Sequence, residues 1–291
     1  MAEGRISPLF WKKVFKIFYS MKKPVQELFS GEYKSVFKGQ GMEFSEVREY
    51  IPGDDVRSIN WRLTAKYGKP FIKKFQEERE LTIIILLDLS ASLEFGTVRS
   101  KKEMAAELTS LFSWSAMTNN DRVGMLMFTD KVEKFVPPRK GRNQILELIR
   151  DALSYPVTGR GTDLKKALEY LNKMLKKRAV IFLISDFLSA DFEKMLKVTA
   201  QKHTVIPIWL RDPLEKKIFE RADFEMEDSE TGKMFYLETG GIKRAEEILV
   251  WNEKALDGIF FRSALEYLPL WTDRPYFRDI YAFFQRRSHQ R

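Results

Sequence analysis

The 291-residue chain contains no cysteine and only two histidines, His203 and His289. The missing cysteine excludes disulfides, thiolate metal sites and cysteine nucleophiles, and it suits a reducing compartment. Two histidines leave little material for histidine-based acid–base chemistry. His203, in "AQKHTV" ahead of an apolar run, is expected to be solvated or to cap a chain end. No apolar stretch approaches the roughly 18–20 residues that a membrane-crossing helix needs. The first residues are unlike a signal peptide, because lysines interrupt them. There is no internal repeat and no low-complexity tract.

Charge is present in both signs, with a net of +9. Residues 1–80 hold 16 Lys and Arg against 11 Asp and Glu, and residues 262–291 hold 6 against 3. Residues 81–261 are nearly balanced at 28 against 27, so the excess lies at the two ends. Such a distribution favours an acidic partner, anionic lipid or nucleic acid without selecting one. In "LFWKKVFKIFYSMKKP", Phe10, Trp11, Val14, Phe15, Phe18 and Met21 recur at helical spacing, with lysines between them and Pro24 ending the run. Residues 1–30 therefore predict an amphipathic helix. It would dock on its own domain or, through residues 8–23, make a peripheral membrane contact.

From Leu81 onward strand and helix patterns alternate. "LTIIILLD" (81–88), "RVGMLMF" (122–128), "AVIFLISD" (179–186) and "TVIPIWL" (204–210) read as strands covered on both faces. "VEKFVPP" (132–138) reads as an edge strand stopped by its prolines. Helices are expected at about 99–119, 142–154, 163–177 and 190–201. This alternation implies an α/β fold, a doubly wound and mostly parallel sheet flanked by helices. "FEMEDSETGKMFYL" (224–237) predicts a small β-hairpin insertion around a Thr-Gly turn. Helices at about 241–262 and 274–287 close the chain, so residues 262–291 read as a helical tail.

Functional groups in an open parallel sheet gather beyond the carboxyl ends of its strands. Two strong strands here end in aspartate, Asp88 and Asp186. Asp88-x-Ser90-x-Ser92 adds two hydroxyls, and "TGRGTDL" supplies Thr162 ahead of a helix. These oxygens suit Mg²⁺ or another divalent cation such as Mn²⁺ or Ca²⁺. The same residues also suit helix caps and turns. As a nucleophile Ser90 lacks a histidine base and a G-x-S-x-G elbow, and Leu89-Ser90 stands where an aspartyl phosphatase carries a second aspartate.

Taken together, Asp88, Ser90, Ser92, Thr162 and Asp186 resemble the metal-ion-dependent adhesion site (MIDAS) of a von Willebrand factor type A domain, a Rossmann-like three-layer fold. Upstream, Gly39, Gly41, Glu43-Phe44, Arg48-x-Tyr50, Gly53-Asp54-Asp55, Arg57, Asn60-Trp61 and "KKFQEERE" resemble the signature of the domain-of-unknown-function family number 58. The resemblance to that prokaryotic family implies a von Willebrand type A-like core over residues 81–261, with residues 31–80 packed on it. "LPLWTDRPYFRDIYAFFQRR" resembles the family's end. From the residues themselves, Gly53-Asp54-Asp55 reads as a turn, and Arg48, Arg57, Trp61 and Arg62 read as a buried polar brace.

The resemblance implies a cytoplasmic, non-enzymatic, metal-dependent protein–protein interaction module, working at the inner face of the membrane if residues 8–23 attach. An acidic residue of the partner would complete the metal shell. The implied partner is a MoxR-type AAA+ ATPase, in protein maturation or complex assembly. The alternatives are a metal-dependent phosphohydrolase and a nucleic-acid-binding protein; no nucleic-acid motif accompanies the basic ends.

Overall fold

The computed structural model describes residues 12, 15, 16, 19, 42–77, 80–217, 224–227, 234–237 and 253–289. The chain divides into two compact units, Phe37–Leu81 and a larger one made of Met1–Val36 with Thr82–Arg291.

In the smaller unit, β1 (Met42–Glu49) pairs antiparallel with β2 (Phe71–Glu77), with an irregularity between Phe44 and Glu46. Between them lies the helix α1 (Trp61–Tyr67). Asn60 caps its start by accepting from the Leu63 N–H, and Gly68 ends it at φ 68°, where a Cβ would be strained. Gly53 turns the chain at φ 109°. Asp54 then receives both Arg48 guanidinium nitrogens at 2.7 and 2.9 Å, which holds its carboxyl below the usual aspartate range. The buried brace read from sequence is not formed. Arg57 and Arg62 are exposed and Trp61 is 68% exposed; only Arg48, paired with Asp54, acts as a brace.

The larger unit is built on a six-stranded sheet in the order β10-β7-β6-β3-β4-β5. Its strands are β3 (Thr82–Asp88), β4 (Arg122–Phe128), β5 (Val132–Arg139), β6 (Val180–Ser185), β7 (Thr204–Arg211) and β10 (Leu268–Trp271). All pairings are parallel except β4 with β5. The small hairpin β8 (Phe224–Glu227) and β9 (Met234–Leu237) pairs antiparallel; its Thr-Gly turn lies outside the described residues.

The aliphatic strands alternate between two covered faces, which is why they read as unbroken apolar runs. Ile84, Leu86, Ile181 and Leu183 pack with Leu164, Leu168, Leu171, Leu196 and Phe260. These belong to α4 (Leu164–Met174), α5 (Glu193–Lys202) and the helix α7 at 253–262. On the opposite face Phe182 stacks on Phe112 at 3.9 Å between centroids and meets Phe284 edge-on at 6.4 Å. Those rings come from α2 (Lys101–Thr118) and α8 (Phe277–His289). With α3 (Arg142–Ser154) these elements make the three-layer α/β fold.

One detail differs from the sequence reading and two refine it. The tail is not wholly helical: β10 adds the edge strand beside β7, ahead of α8. β5 runs to Arg139, one residue past the two prolines that close the expected strand; at the sheet edge it tolerates their missing N–H donors. Of the two roles expected for His203 the structure shows the capping one: it is the C-cap of α5, 3% exposed rather than solvated, and its Nδ1 accepts the Ala179 N–H at 3.2 Å. Of the N-terminal segment, residues 12, 15, 16 and 19 are helical and exposed, and Arg142 donates to the Tyr19 hydroxyl. The rest of that segment and residues 241–252 of the expected helix lie outside the described residues. No described helix is long and apolar enough to cross a membrane.

Candidate metal centre

Asp88 closes a strand whose preceding five residues are fully buried, and it is itself inaccessible to solvent. A carboxylate placed there must find donors. Its Oδ1 accepts the Ser90 N–H at 2.8 Å, and its Oδ2 accepts the Ser185 hydroxyl at 2.6 Å from the end of neighbouring β6. Ser185 Oγ in turn accepts the Phe187 N–H at 2.9 Å. The Ser90 and Ser92 hydroxyl oxygens, both buried, lie 3.1 Å apart.

Capping does not account for the motif. Ser90 opens a single 3-10 turn, Ala91–Glu94, with no side-chain cap bond, whereas the long helix α2 is capped by Ser100.

Asp186 follows β6 directly. Its Oδ1 accepts the Leu188 N–H at 3.3 Å and its Oδ2 takes the Lys101 ammonium at 3.0 Å. The intervening Phe187 has φ +58°, an uncommon backbone for a bulky residue. Its ring sits edge-on against Phe260 at 5.1 Å, which holds the turn. Burial, followed by the negative charge of Asp186, pushes Asp88 up to about 7, against the opposing hydrogen bonds from Ser185 and Ser90.

The third loop is pinned from several sides. Glu133 of β5 accepts from the Thr158 N–H at 3.1 Å and its hydroxyl at 2.9 Å, the Gly159 N–H at 2.8 Å and the Thr129 hydroxyl at 2.8 Å. Burial works against this charge, yet those donors keep Glu133 below its ordinary value. A Cβ on Gly159 would collide with Asp130 and Thr129, so the close approach requires glycine. Ala91 donates its N–H to the Arg160 carbonyl at 3.1 Å, joining this loop to the serine loop. Ser189 donates its hydroxyl to the Thr162 carbonyl at 3.2 Å, joining it to the Asp186 loop. The fold thus brings all three sequence-marked loops to one rim. Thr162 is half-buried there, and the helix-capping role falls to Asp163, which accepts the Lys166 N–H at 2.9 Å.

Two carboxylates and clustered hydroxyls are hard oxygen donors of the kind Mg²⁺ takes. A cation would also offset the charge that raises Asp88. On both counts the residues fit a divalent ion. Among the described residues no group of three or more acidic or histidine side chains is placed to hold a metal, so the hydroxyls are essential to the set.

Sequence reasoning missed the supports of this rim. Lys101, 1% exposed, bonds both Asp186 and Glu215. Burial would pull its pKa down, but the two carboxylates hold it above the usual lysine value. Asp212, after β7, is buried and accepts from the Thr97 N–H at 2.8 Å, the Leu214 N–H at 2.8 Å and the Thr272 hydroxyl. A strand end occupied by Ser185 or Asp212 was the available signal, by the rule that singled out Asp88 and Asp186. For Lys101, inside the surface-like string "RSKKE", there was none.

Residues 46–247 match the family described as "Protein of unknown function DUF58". The chain belongs to that family. Uncharacterized proteins of Mycobacterium bovis and Mycobacterium tuberculosis are 29% identical to this DUF58 protein over 217 residues, covering 73% of it and 68% of their own length. Among solved structures, an aerotolerance-related membrane protein from Bacteroides fragilis is similar over 72% of this chain and 100% of that one, with TM-score 0.48 and 15% identity. A von Willebrand factor type A protein from Catenulispora acidiphila is similar over 74% of this chain and 43% of that one, with TM-score 0.35 and 11% identity. The larger unit of this DUF58 protein is a three-layer α/β fold on a mostly parallel six-stranded sheet.

Proposed function

We propose that this DUF58 protein is a metal-dependent interaction module whose rim holds a divalent cation, Mg²⁺ in the first instance. Ser90, Ser92 and Thr162 supply hydroxyl oxygens, and Asp88 and Asp186 supply the negative charge. The cation accepts an acidic side chain from a protein partner, and the module binds rather than turns over what it meets. The observation that carries this reading is the buried Asp88–Ser90–Ser92 oxygen cluster, anchored by Ser185 at the carboxyl end of two adjacent parallel strands.

A hydrolytic reading has less support, because no described histidine side chain lies near Ser90. His203 lies at the start of β7 beside Ala179, the opposite end of the sheet from Asp88, roughly 20 Å along the strands. On the family resemblance, the partner is a MoxR-type AAA+ ATPase and the setting is the cytoplasm, with membrane contact through residues 8–23.

The test is capture of the cognate ATPase by the full chain in Mg²⁺ or in EDTA, alongside Asp88→Ala. Capture should drop at least tenfold with EDTA and with the variant. Binding indifferent to both would remove the metal from the mechanism.

A further inference from the structure

The least expected residue of the rim is Lys101. It is the first residue of the 18-residue helix α2, where the N-terminal end of the helix dipole disfavours a cation, and it is buried as well. Each of these costs free energy, as does fixing a long flexible side chain. A locally unfavourable residue held by specific partners points to a function at that position.

The partners are specific. Lys101 Nζ spans Asp186 Oδ2 at 3.0 Å and the carboxylate of Glu215, which lies on α6 (Pro213–Lys217) after β7. Glu215 is itself oriented by accepting the Asp212 N–H at 3.1 Å. The ammonium is therefore tied to carboxylates just beyond the ends of two strands, β6 and β7. It does not bond Asp88, Ser90 or Ser92. It takes up one oxygen of Asp186 and part of the negative charge that an incoming cation would use.

We propose that Lys101 is a built-in counter-cation that sets the ion affinity of the rim, a positioning residue that holds Asp186 back from the ion and keeps binding weak and exchangeable. This rests on the metal-dependent reading above. With the ammonium present and all three carboxylates ionised, as ion binding requires, Asp88, Asp186, Glu215 and Lys101 sum to two negative charges, which one divalent ion neutralises. Without it the rim carries three and binds the ion more tightly, as Coulomb attraction in a poorly solvated site requires.

Titration calorimetry with Mn²⁺ and with Mg²⁺ tests this on the full chain, in the wild type, Lys101→Met and Glu215→Gln, each with and without Asp88→Ala. Lys101→Met should bind Mn²⁺ at least tenfold more tightly, and Glu215→Gln more weakly, with Asp88→Ala abolishing both signals. A purely structural lysine would give the opposite for Lys101→Met, a loss of binding along with stability. Should Lys101→Met fail to fold, the double variant Lys101→Met/Glu215→Gln, which leaves only Asp186 without its ammonium, is expected to bind more tightly than Glu215→Gln alone. Binding by the wild type with no gain on removing the lysine would overturn the proposal and leave the metal site standing. Binding by the lysine-free variants alone would rule out a metal-dependent wild type and, with it, a lysine that tunes a working site. Binding by none would end both.

Discussion

A single buried side chain can set how the protein responds to pH. His203 accepts the Ala179 N–H and must be neutral to do so. Burial, then the positive charges of Lys202 and Arg178, lowers its pKa from the usual 6.5. The unfolded chain therefore takes up the proton first as pH falls, and stability is lost from about pH 6.5 downward. Thermal melts between pH 7.5 and 5 should fall more steeply for the wild type than for His203→Asn, whose amide oxygen can replace Nδ1. Equal slopes would exclude His203 as the source. The sequence marked this histidine as a chain-end residue, and its neighbours in the chain gave no sign of its burial. The same limit applied to Trp61 and Lys101, because solvent exposure is set by elements distant in sequence.

At the level of elements, apolar periodicity located the strands to within a residue or two. Helix α3 has the predicted bounds, and α2 differs by two residues at its start. Each of these elements buries an amphipathic or wholly apolar surface, so its pattern survives in the local sequence. The edge strand β5 was legible to one residue, its prolines tolerated because an edge strand can spare their N–H donors. Gln144 of α3 ties β5 to β4 by donating to the carbonyls of Val123 and Pro137. Gln144→Leu would leave both carbonyls without that donor and cost about 1–3 kcal/mol. Urea unfolding of that variant with an unchanged m-value and a lower midpoint would confirm the role. An unchanged midpoint would mean water satisfies the carbonyls.

Across the whole molecule, the last 30 residues are structural. Besides β10, they supply Thr272, which donates to buried Asp212, and the carbonyls of Thr272 and Arg274, which accept from Arg99. Phe284 covers Phe182 on the sheet face opposite Phe260. Deletion of residues 262–291 should therefore abolish cooperative unfolding by circular dichroism and expose the core to a hydrophobic dye. A truncated chain that melts in one sharp transition would show the tail to be an accessory.

The local order of residues determined the α/β class, the parallel strands, the family and the oxygen-bearing strand ends at Asp88 and Asp186. Each is written in a short window, as a run of aliphatics, a spacing of hydroxyls or a turn. Tertiary structure decided what those oxygens meet. Ser185 reaches Asp88 from 97 positions away, and Lys101 reaches Asp186 from 85. The tail became an edge strand only because β7 offered it a free side. Charge balance at the rim is a sum over loops that no single window contains, and the fold alone brings those loops together.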